Sequence, residues 1–304
     1  MNTINQTMYE ANEMGQTQKL ADWKDYFALL KPRVMSLVVF TALVGYLCAP
    51  TEHNPILAIM SIFAIALGGG AAGALNMWYD SDIDILMKRT RMRPVPAGKV
   101  HRDEALNMGI ICSVVSVILL TLSGGYVAAG MLAFTIWFYA VVYSMWLKRS
   151  THQNIVIGGL AGALPPLVAW LAAGGPLSIN AILPVLIIFL WTPPHSWALA
   201  LYKAGDYSRA GIPMLPVAKG PRVAKIQILA YPLLLVPVAI LPTFPGLGGM
   251  IYLVVSSLEG ALFLLLAYRL LKSHAGEEDG IVDGRALYQD NANSNRPARD
   301  LFAF

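Results

Sequence analysis

Apolar residues along this chain gather into eight stretches, approximately 34 to 50, 56 to 76, 105 to 123, 126 to 147, 154 to 174, 180 to 201, 224 to 244 and 248 to 271. A helix needs roughly 20 apolar residues to cross the hydrocarbon core of a bilayer. The pattern therefore predicts an all-α, polytopic membrane bundle of eight transmembrane helices. Composition agrees: of 304 residues, 56% are hydrophobic and 13% charged, a balance foreign to a water-soluble domain of this size.

Charge then orients the spans. The 22 basic residues fall in the N-terminal segment, in or bordering the connections after the second, fourth and sixth stretches, or at the end of the eighth and beyond. The other connections, around APTEHNP, SGGY, GGPLSIN and TFPGLGG, carry none. Because cytoplasmic loops retain Lys and Arg, both ends of the set are expected in the cytoplasm. The net charge of +4 then reflects topology and anionic membrane lipid, with no case for nucleic acid.

Three regions follow: a cytoplasmic N-terminal segment (1–33), a membrane domain (34–272) and a polar C-terminal tail (273–304) expected to be mobile. The first 22 residues hold Glu10, Glu13 and Asp22 against a lone Lys19, which argues against a cleaved signal or a transit peptide. Trp23, Phe27 and Leu30 at helical spacing predict a short interfacial helix. Cys48 and Cys112 read as separate buried thiols rather than a disulfide or metal pair.

Two connections are unusually charged, Asp80 to Glu104 after the second stretch and residues 201 to 220 after the sixth. They occupy equivalent places in two halves of four helices, as in a repeat that sets two polar loops across one central cavity. The small-residue clusters GGGAAG (68–73) and GGLAGA (158–163) suit close helix packing.

The second stretch ends in NMWYDSDID. If its helix continues, Asn76, Asp80 and Asp84 recur every fourth residue on one face, and Asp82 points elsewhere. Three oxygen-bearing side chains in a stripe suit Mg²⁺, a hard ion that takes one or two carboxylates and completes its shell with water and substrate phosphates. The plainer alternative is a solvated helix end with Asp84 paired to Lys88. Against it, carboxylates close to the lipid boundary are costly and usually functional. Lys88, Arg89, Arg91 and Arg93 follow at once, as a diphosphate would require. The topology rule also accounts for basic residues there, and for Arg91 and Lys99 neither reading prevails.

These motifs carry a resemblance. NMWYDSDID with MKRTRMRPVPAG, LLKPRVMSLVVFT (29–41), LKR with NIVIGGLAGALPP (147–166), WTPPHSWALAL (191–201) and DYSRAGIPMLPV (206–217) resemble the UbiA-type intramembrane prenyltransferases, the last two stretches its haem-modifying branch. The resemblance implies a Mg²⁺-dependent transfer of a farnesyl group from farnesyl diphosphate to the 2-vinyl group of haem B, giving haem O, in a bacterial inner membrane with the site towards the cytoplasm. Haem-oxidase assembly partners come with it. It assigns metal binding to Asn76, Asp80, Asp84 and Asp206, with Asp80, Asp84 and Asp206 as the catalytic carboxylates. Diphosphate binding falls to Arg33, Lys88, Arg89, Arg93, Lys148, Arg149 and Lys203, with Lys31 and Arg209 within reach. His195, behind two prolines in WTPPHSW, becomes a candidate haem contact, as axial ligand or propionate partner.

Two departures stand out. The family usually pairs aspartates four residues apart in the second motif, and here Ala210 follows Asp206. RPARDLFAF resembles the lead-in to a ninth family helix, after which the sequence stops; either this chain lacks that helix or the sequence is truncated. An aromatic ring or a chlorin as acceptor, and a cation transporter as a different class, are the competing readings. Trp78, Tyr79, Tyr143, Trp146, Trp191 and Trp197 fit an interfacial aromatic belt.

Overall fold

The computed structural model describes residues 21–277, 280–282, 285–287 and 294–304. The acidic N-terminal stretch before residue 21 lies outside the described residues. The chain runs α1 (Trp23–Leu29), α2 (Pro32–Leu47), α3 (Pro55–Tyr79), α4 (Ser81–Asp84), α5 (Arg102–Trp137), a π-helical stretch (Phe138–Leu147) with a last turn at Lys148–Ser150, α6 (Asn154–Ala163), α7 (Pro165–Ala172), α8 (Ile179–Tyr202), α9 (Ala204–Arg209), α10 (Leu215–Lys219), α11 (Pro221–Ile240) and α12 (Met250–Leu271). A small antiparallel hairpin, β1 (Gly280–Val282) and β2 (Arg285–Leu287), and helix α13 (Arg296–Ala303) complete it.

Among the described residues, six helical segments are long and apolar enough to cross a membrane, seven if α1 and α2, bent by 50°, form one span. Length and composition alone thus give fewer than the eight expected spans among the described residues. The third and fourth belong to one 49-residue run, Arg102–Ser150, which at about 1.5 Å per residue is far longer than a bilayer is thick. Gly125 divides it, with φ +82° and ψ 173° in the middle of α5. A Cβ placed on Gly68 of α3 would meet both Ser116 and Leu132. Residues 16 apart along a straight helix cannot share one neighbour, so the run folds back at Gly125. The glycine supplies a backbone that other residues rarely adopt.

Two cores result. One gathers Ala42, Ile65, Leu120, Leu132 and Val168 from α2, α3, both limbs of α5 and α7. The other gathers Trp197, Ile228, Phe263 and Leu301 from α8, α11, α12 and α13. Between them, Leu164, Leu167, Trp170 and Val185 join α7 to α8. Large apolar side chains facing outward, such as Phe40, Ile59, Ile118 and Leu258, remain exposed around the bundle, as lipid contact requires and water would not tolerate.

Several local expectations are refined. In α1, Leu29 rather than Leu30 is buried, against Ala74, Met77 and Val100, while Trp23 and Phe27 face outward. Cys48 and Cys112 are free thiols. Trp197 does not belong to an interfacial belt: it is buried in the second core with Tyr231 edge-on at 5.4 Å. The tail expected to be mobile ends in the docked helix α13, whose Ala298 and Leu301 are buried against α8 and α12. That helix is held because Lys225, itself buried, donates to the Ser273 carbonyl and to Glu277, and Asn295 accepts from the Gly276 amide.

Candidate functional site

The acidic stripe forms where α3 ends. Asp80 takes a non-helical backbone (φ −85°, ψ 5°), and the short α4 resumes at once. The hydrogen-bond path continues through the break, since the Asp80 amide donates to the Asn76 carbonyl and the Asp84 amide to the Asp80 carbonyl. Asn76, Asp80 and Asp84 therefore stay on the inner side and are buried, while Asp82 turns outward.

Burial of carboxylates demands partners, and three parts of the chain supply them: α3 itself, the loop after α4 and the last turn of the fourth stretch. Lys148, in the last turn of the fourth stretch, donates to Asp80 Oδ2, and Asn76 Nδ2 donates to the same oxygen at 2.6 Å. Arg93 donates to Asp84 Oδ2 at 2.7 Å. Arg149 forks onto both oxygens of Asp82 at 2.7 and 2.8 Å, donates to the Tyr79 carbonyl, and lies 3.6 Å from Asp80 Oδ1. Burial alone would raise the Asp82 carboxyl, but the Arg149 fork holds it below the usual aspartate range.

Lys31 is the first member whose contact was unforeseen: the sequence places it within reach of the diphosphate, and the structure puts it on Asn76. It is the one non-glycine residue with positive φ among those described (φ 52°, ψ 58°) and sits between α1 and α2. There its ammonium donates to Asn76 Oδ1 at 2.9 Å. Gly73 makes room for it: a Cβ there would come 3.3 Å from Lys31 Cδ. Strained backbones of this kind persist only where surrounding structure enforces them, and they cluster at working sites. Ser144 is the second unforeseen member. Its hydroxyl accepts from Asn76 Nδ2 at 3.0 Å and donates to the Tyr139 carbonyl five residues back. It lies in the π-helical stretch, a conformation often found at functional sites. No sequence pattern announces a π-helix, whereas Lys31 before Pro32 at the mouth of a span was at least suggestive.

The second charged connection packs against the first. Ile83 and Met87 share a small core with Ala200, Tyr207, Ala210, Ile212 and Met214. The Arg89 guanidinium beside Tyr207 opposes the upward push that burial gives this phenol. Asp206 is buried and paired with Arg209. A cavity of about 140 Å³ brings Lys88 together with Lys203, Asp206 and Arg209. Lys88 thus faces the second motif, and Asp84 takes Arg93 rather than Lys88 as its partner. Ala210, where a second carboxylate was expected, fills apolar space. Arg33 is exposed and, among the described residues, makes no hydrogen bond or ion pair with these carboxylates.

The donor set fits a hard divalent ion. Asp80 Oδ1 is buried with no hydrogen-bond partner, an acceptor left open beside Asn76 and Asp84. Among the described residues no three acidic, His or Cys side chains converge on a single metal-sized point, so Asp206 forms a separate position. A Mg²⁺ here would rest on Asn76, Asp80 and Asp84 with water and a phosphate ligand, its usual manner.

His195 lies one helical turn beyond Trp191 in α8. Pro193 and Pro194 inside that helix release the carbonyls four residues earlier from their helical bonds. The imidazole is sandwiched between Trp191 (ring centroids 4.1 Å, 25°) and Phe302 of α13 (4.4 Å, 27°), and its Nδ1 is buried with no partner.

Known proteins supply the remaining finding. The family model described as the UbiA prenyltransferase family matches residues 38–282. The chain is 56% identical to a protoheme IX farnesyltransferase of Caulobacter vibrioides, covering 97% of this chain and 90% of that protein. It is 55% identical to one of Maricaulis maris, covering 95% and 87%. Its fold is similar to that of a UbiA homologue from Archaeoglobus fulgidus bound to DMAPP and Mg²⁺, with TM-score 0.63 at 16% identity over 92% of this chain and 95% of that one. A multi-pass helical bundle, buried carboxylates at a span's charged end, and a family match over most of the chain converge: the chain belongs to the UbiA prenyltransferase family and is a membrane prenyltransferase.

Proposed function

We propose that the protein transfers a farnesyl group from farnesyl diphosphate to the 2-vinyl group of haem B, forming haem O and releasing diphosphate. The observation that carries this reading is the pair of buried carboxylates, Asp80 and Asp84, held at a membrane boundary among Lys31, Arg93, Lys148 and Arg149. A lipid-tailed diphosphate has this chemistry, with charge at the interface and an apolar tail in the bilayer. The names of the relatives supply the acceptor class.

Asn76, Asp80 and Asp84 hold Mg²⁺ in this proposal, and Asp206 a second ion or its water shell. When bound, the ion neutralises diphosphate charge as it departs. Arg93 and Lys148 move from the carboxylates they now pair with, and Lys31 from the Asn76 carboxamide, to the diphosphate oxygens, and Arg149 keeps its grip on Asp82. Lys88, Arg89 and Lys203 approach from the second connection. Arg33 is proposed at the outer margin, where it meets the diphosphate on entry. The allylic carbon–oxygen bond breaks with its electron pair going to the diphosphate. The vinyl group attacks the allylic carbon, and water captures the resulting porphyrin-side cation with loss of a proton. No nucleophilic side chain is required. His195 contacts the haem.

The charged face lies in the cytoplasm of a bacterial cell, the protein in its inner membrane, and haem-oxidase assembly factors are the partners expected for the product. The test is direct: purified protein in detergent with haem B, farnesyl diphosphate and Mg²⁺, analysed for haem O by mass spectrometry. Absence of product from the unaltered chain, or full activity after Asp80→Ala, overturns the proposal. His195→Ala is expected to weaken haem B binding in a spectral titration.

A further inference from the structure

Lys225, near the start of α11, is a buried ammonium that the proposed reaction does not use. Its side chain is 4% exposed, and it donates to the Ser273 carbonyl at 2.6 Å and to Glu277 Oε1 at 3.3 Å. Pinning a carbonyl needs only a neutral donor, whereas taking a charge out of water is costly. The charge therefore calls for a second reason.

The turn that Lys225 holds lies against the second charged connection. Gly276, between Ser273 and Glu277, has φ +74°, and a Cβ there would come 2.6 Å from Leu201 Cδ2 and 3.3 Å from the Leu201 carbonyl oxygen. The turn thus seats on the end of α8, directly before Lys203 and α9. Gly276 and Glu277 form one wall of the cavity shared by Lys88, Lys203, Asp206 and Arg209. Three cations and two carboxylates line it, so the sign of its field depends on how each carboxylate is neutralised. Arg209 takes Asp206. Glu277 is held by His274, whose Nδ1 lies 2.8 Å from Oε2, and by Lys225 on Oε1. These two contacts, the His274 bond first, keep the Glu277 carboxyl below the usual glutamate range. It is therefore ionised at neutral pH, and without a countercharge it would repel a phosphate in the cavity.

We infer that Lys225 is a positioning residue for binding of the prenyl diphosphate: it seats the 273–277 turn on the end of α8 and neutralises Glu277, so that Lys88 and Lys203 act on phosphate without an opposing charge. The inference rests on the proposed reading of those two lysines as diphosphate contacts. Lys225 itself touches neither substrate nor metal. It acts through the carboxylate it holds.

Calorimetric titration of the detergent-purified protein with farnesyl diphosphate and Mg²⁺, in the absence of haem, reads binding without turnover. Lys225→Met is expected to weaken binding by roughly fivefold or more, the scale of one incompletely screened charge, while kcat for haem O formation changes by less than about twofold. Lys225→Arg should stay close to wild type. Adding Glu277→Gln to Lys225→Met should restore most of the lost affinity, because the uncompensated carboxylate is gone although the Ser273 carbonyl still lacks its donor. A purely structural staple shows no such restoration. Glu277→Gln alone unmasks the Lys225 charge and should tighten binding by about twofold or more, a gain that misfolding cannot mimic. Wild-type affinity in Lys225→Met, a loss that Glu277→Gln does not relieve, or unchanged or weaker binding by Glu277→Gln alone overturns the inference. The expected binding pattern without haem O formation would instead overturn the proposed reaction and leave the role of Lys225 standing.

Discussion

The two charged connections solve one problem, keeping carboxylates next to a membrane, by different means. In the first, Asp80, Asp82 and Asp84 are matched by Arg93 from the loop after α4 and by the adjacent Lys148 and Arg149 at the end of the fourth stretch, while Lys31, from a third part of the chain, holds Asn76. In the second, Asp206 is matched by Arg209 three residues away within one short helix, and Ala210 is packed apolar. A carboxylate neutralised from across the fold ties the tertiary structure to its charge; one neutralised locally does not.

The largest expected contrast lies between the two regions' carboxylates. Asp80→Ala should lower haem O formation by about 10²–10³-fold or more, the scale of removing one group that stabilises developing charge. Asp206→Asn should lose at least tenfold less under the same mass-spectrometric assay; equal losses would erase the distinction. Lys148→Met removes a cation while sparing every carboxylate. It should raise the KM for farnesyl diphosphate by about tenfold, in line with one charge-assisted bond. The Mg²⁺ concentration giving half-maximal thermal stabilisation should fall, since the ammonium no longer competes for Asp80. An unchanged Mg²⁺ midpoint would show that Lys148 and the ion do not share that oxygen.

Support behind the first region can be probed at Gly158, where a Cβ would lie 2.1 Å from a ring carbon of Tyr143. Gly158→Ala should cost about 1–3 kcal/mol, the usual penalty of overpacking, seen as a lower melting temperature in detergent. No comparable loss is expected at the open Gly162. The smallest effect belongs to Asp82. Its carboxyl is held below the usual aspartate value, which is about 3.9. The stabilisation from its Arg149 fork is therefore fully present above that value and lost as pH falls through the lower folded one. Wild type should melt slightly above Asp82→Asn at pH 7, and the two should converge as acid protonates Asp82; a gap that widens in acid would contradict the pairing.

Much of this was legible in the sequence because it rests on periodicity. Apolar runs locate the spans, and the i, i+4 spacing groups Asn76 with Asp80 and Asp84 and sets Asp82 apart even though α3 breaks at Asp80. The partners of those carboxylates were less legible. Local spacing points from Asp84 to Lys88, but the loop after α4 turns Lys88 towards Asp206 and brings back Arg93. Lys148 could be named as a cation at a helix end, yet its contact with Asp80 depends on how the fourth stretch packs against the second. Ser144 had no signal, because its position depends on a π-helical register. The fold-back at Gly125 shows the same limit, since SGGY marks a turn without giving its backbone. Helix α13 was hidden by composition: a polar tail conceals Ala298 and Leu301, which join the second core, and Phe302, which stacks on His195 only in three dimensions.

Lys31 separates two contributions that mutagenesis usually confounds. Its left-handed backbone is intrinsically uphill for any side chain bearing a Cβ, so alanine there would keep the conformational burden and lose the ammonium. Glycine would relieve that burden while losing the same charge. The difference between Lys31→Ala and Lys31→Gly thus isolates what the bend itself costs, and their shared deficit reports the electrostatics alone.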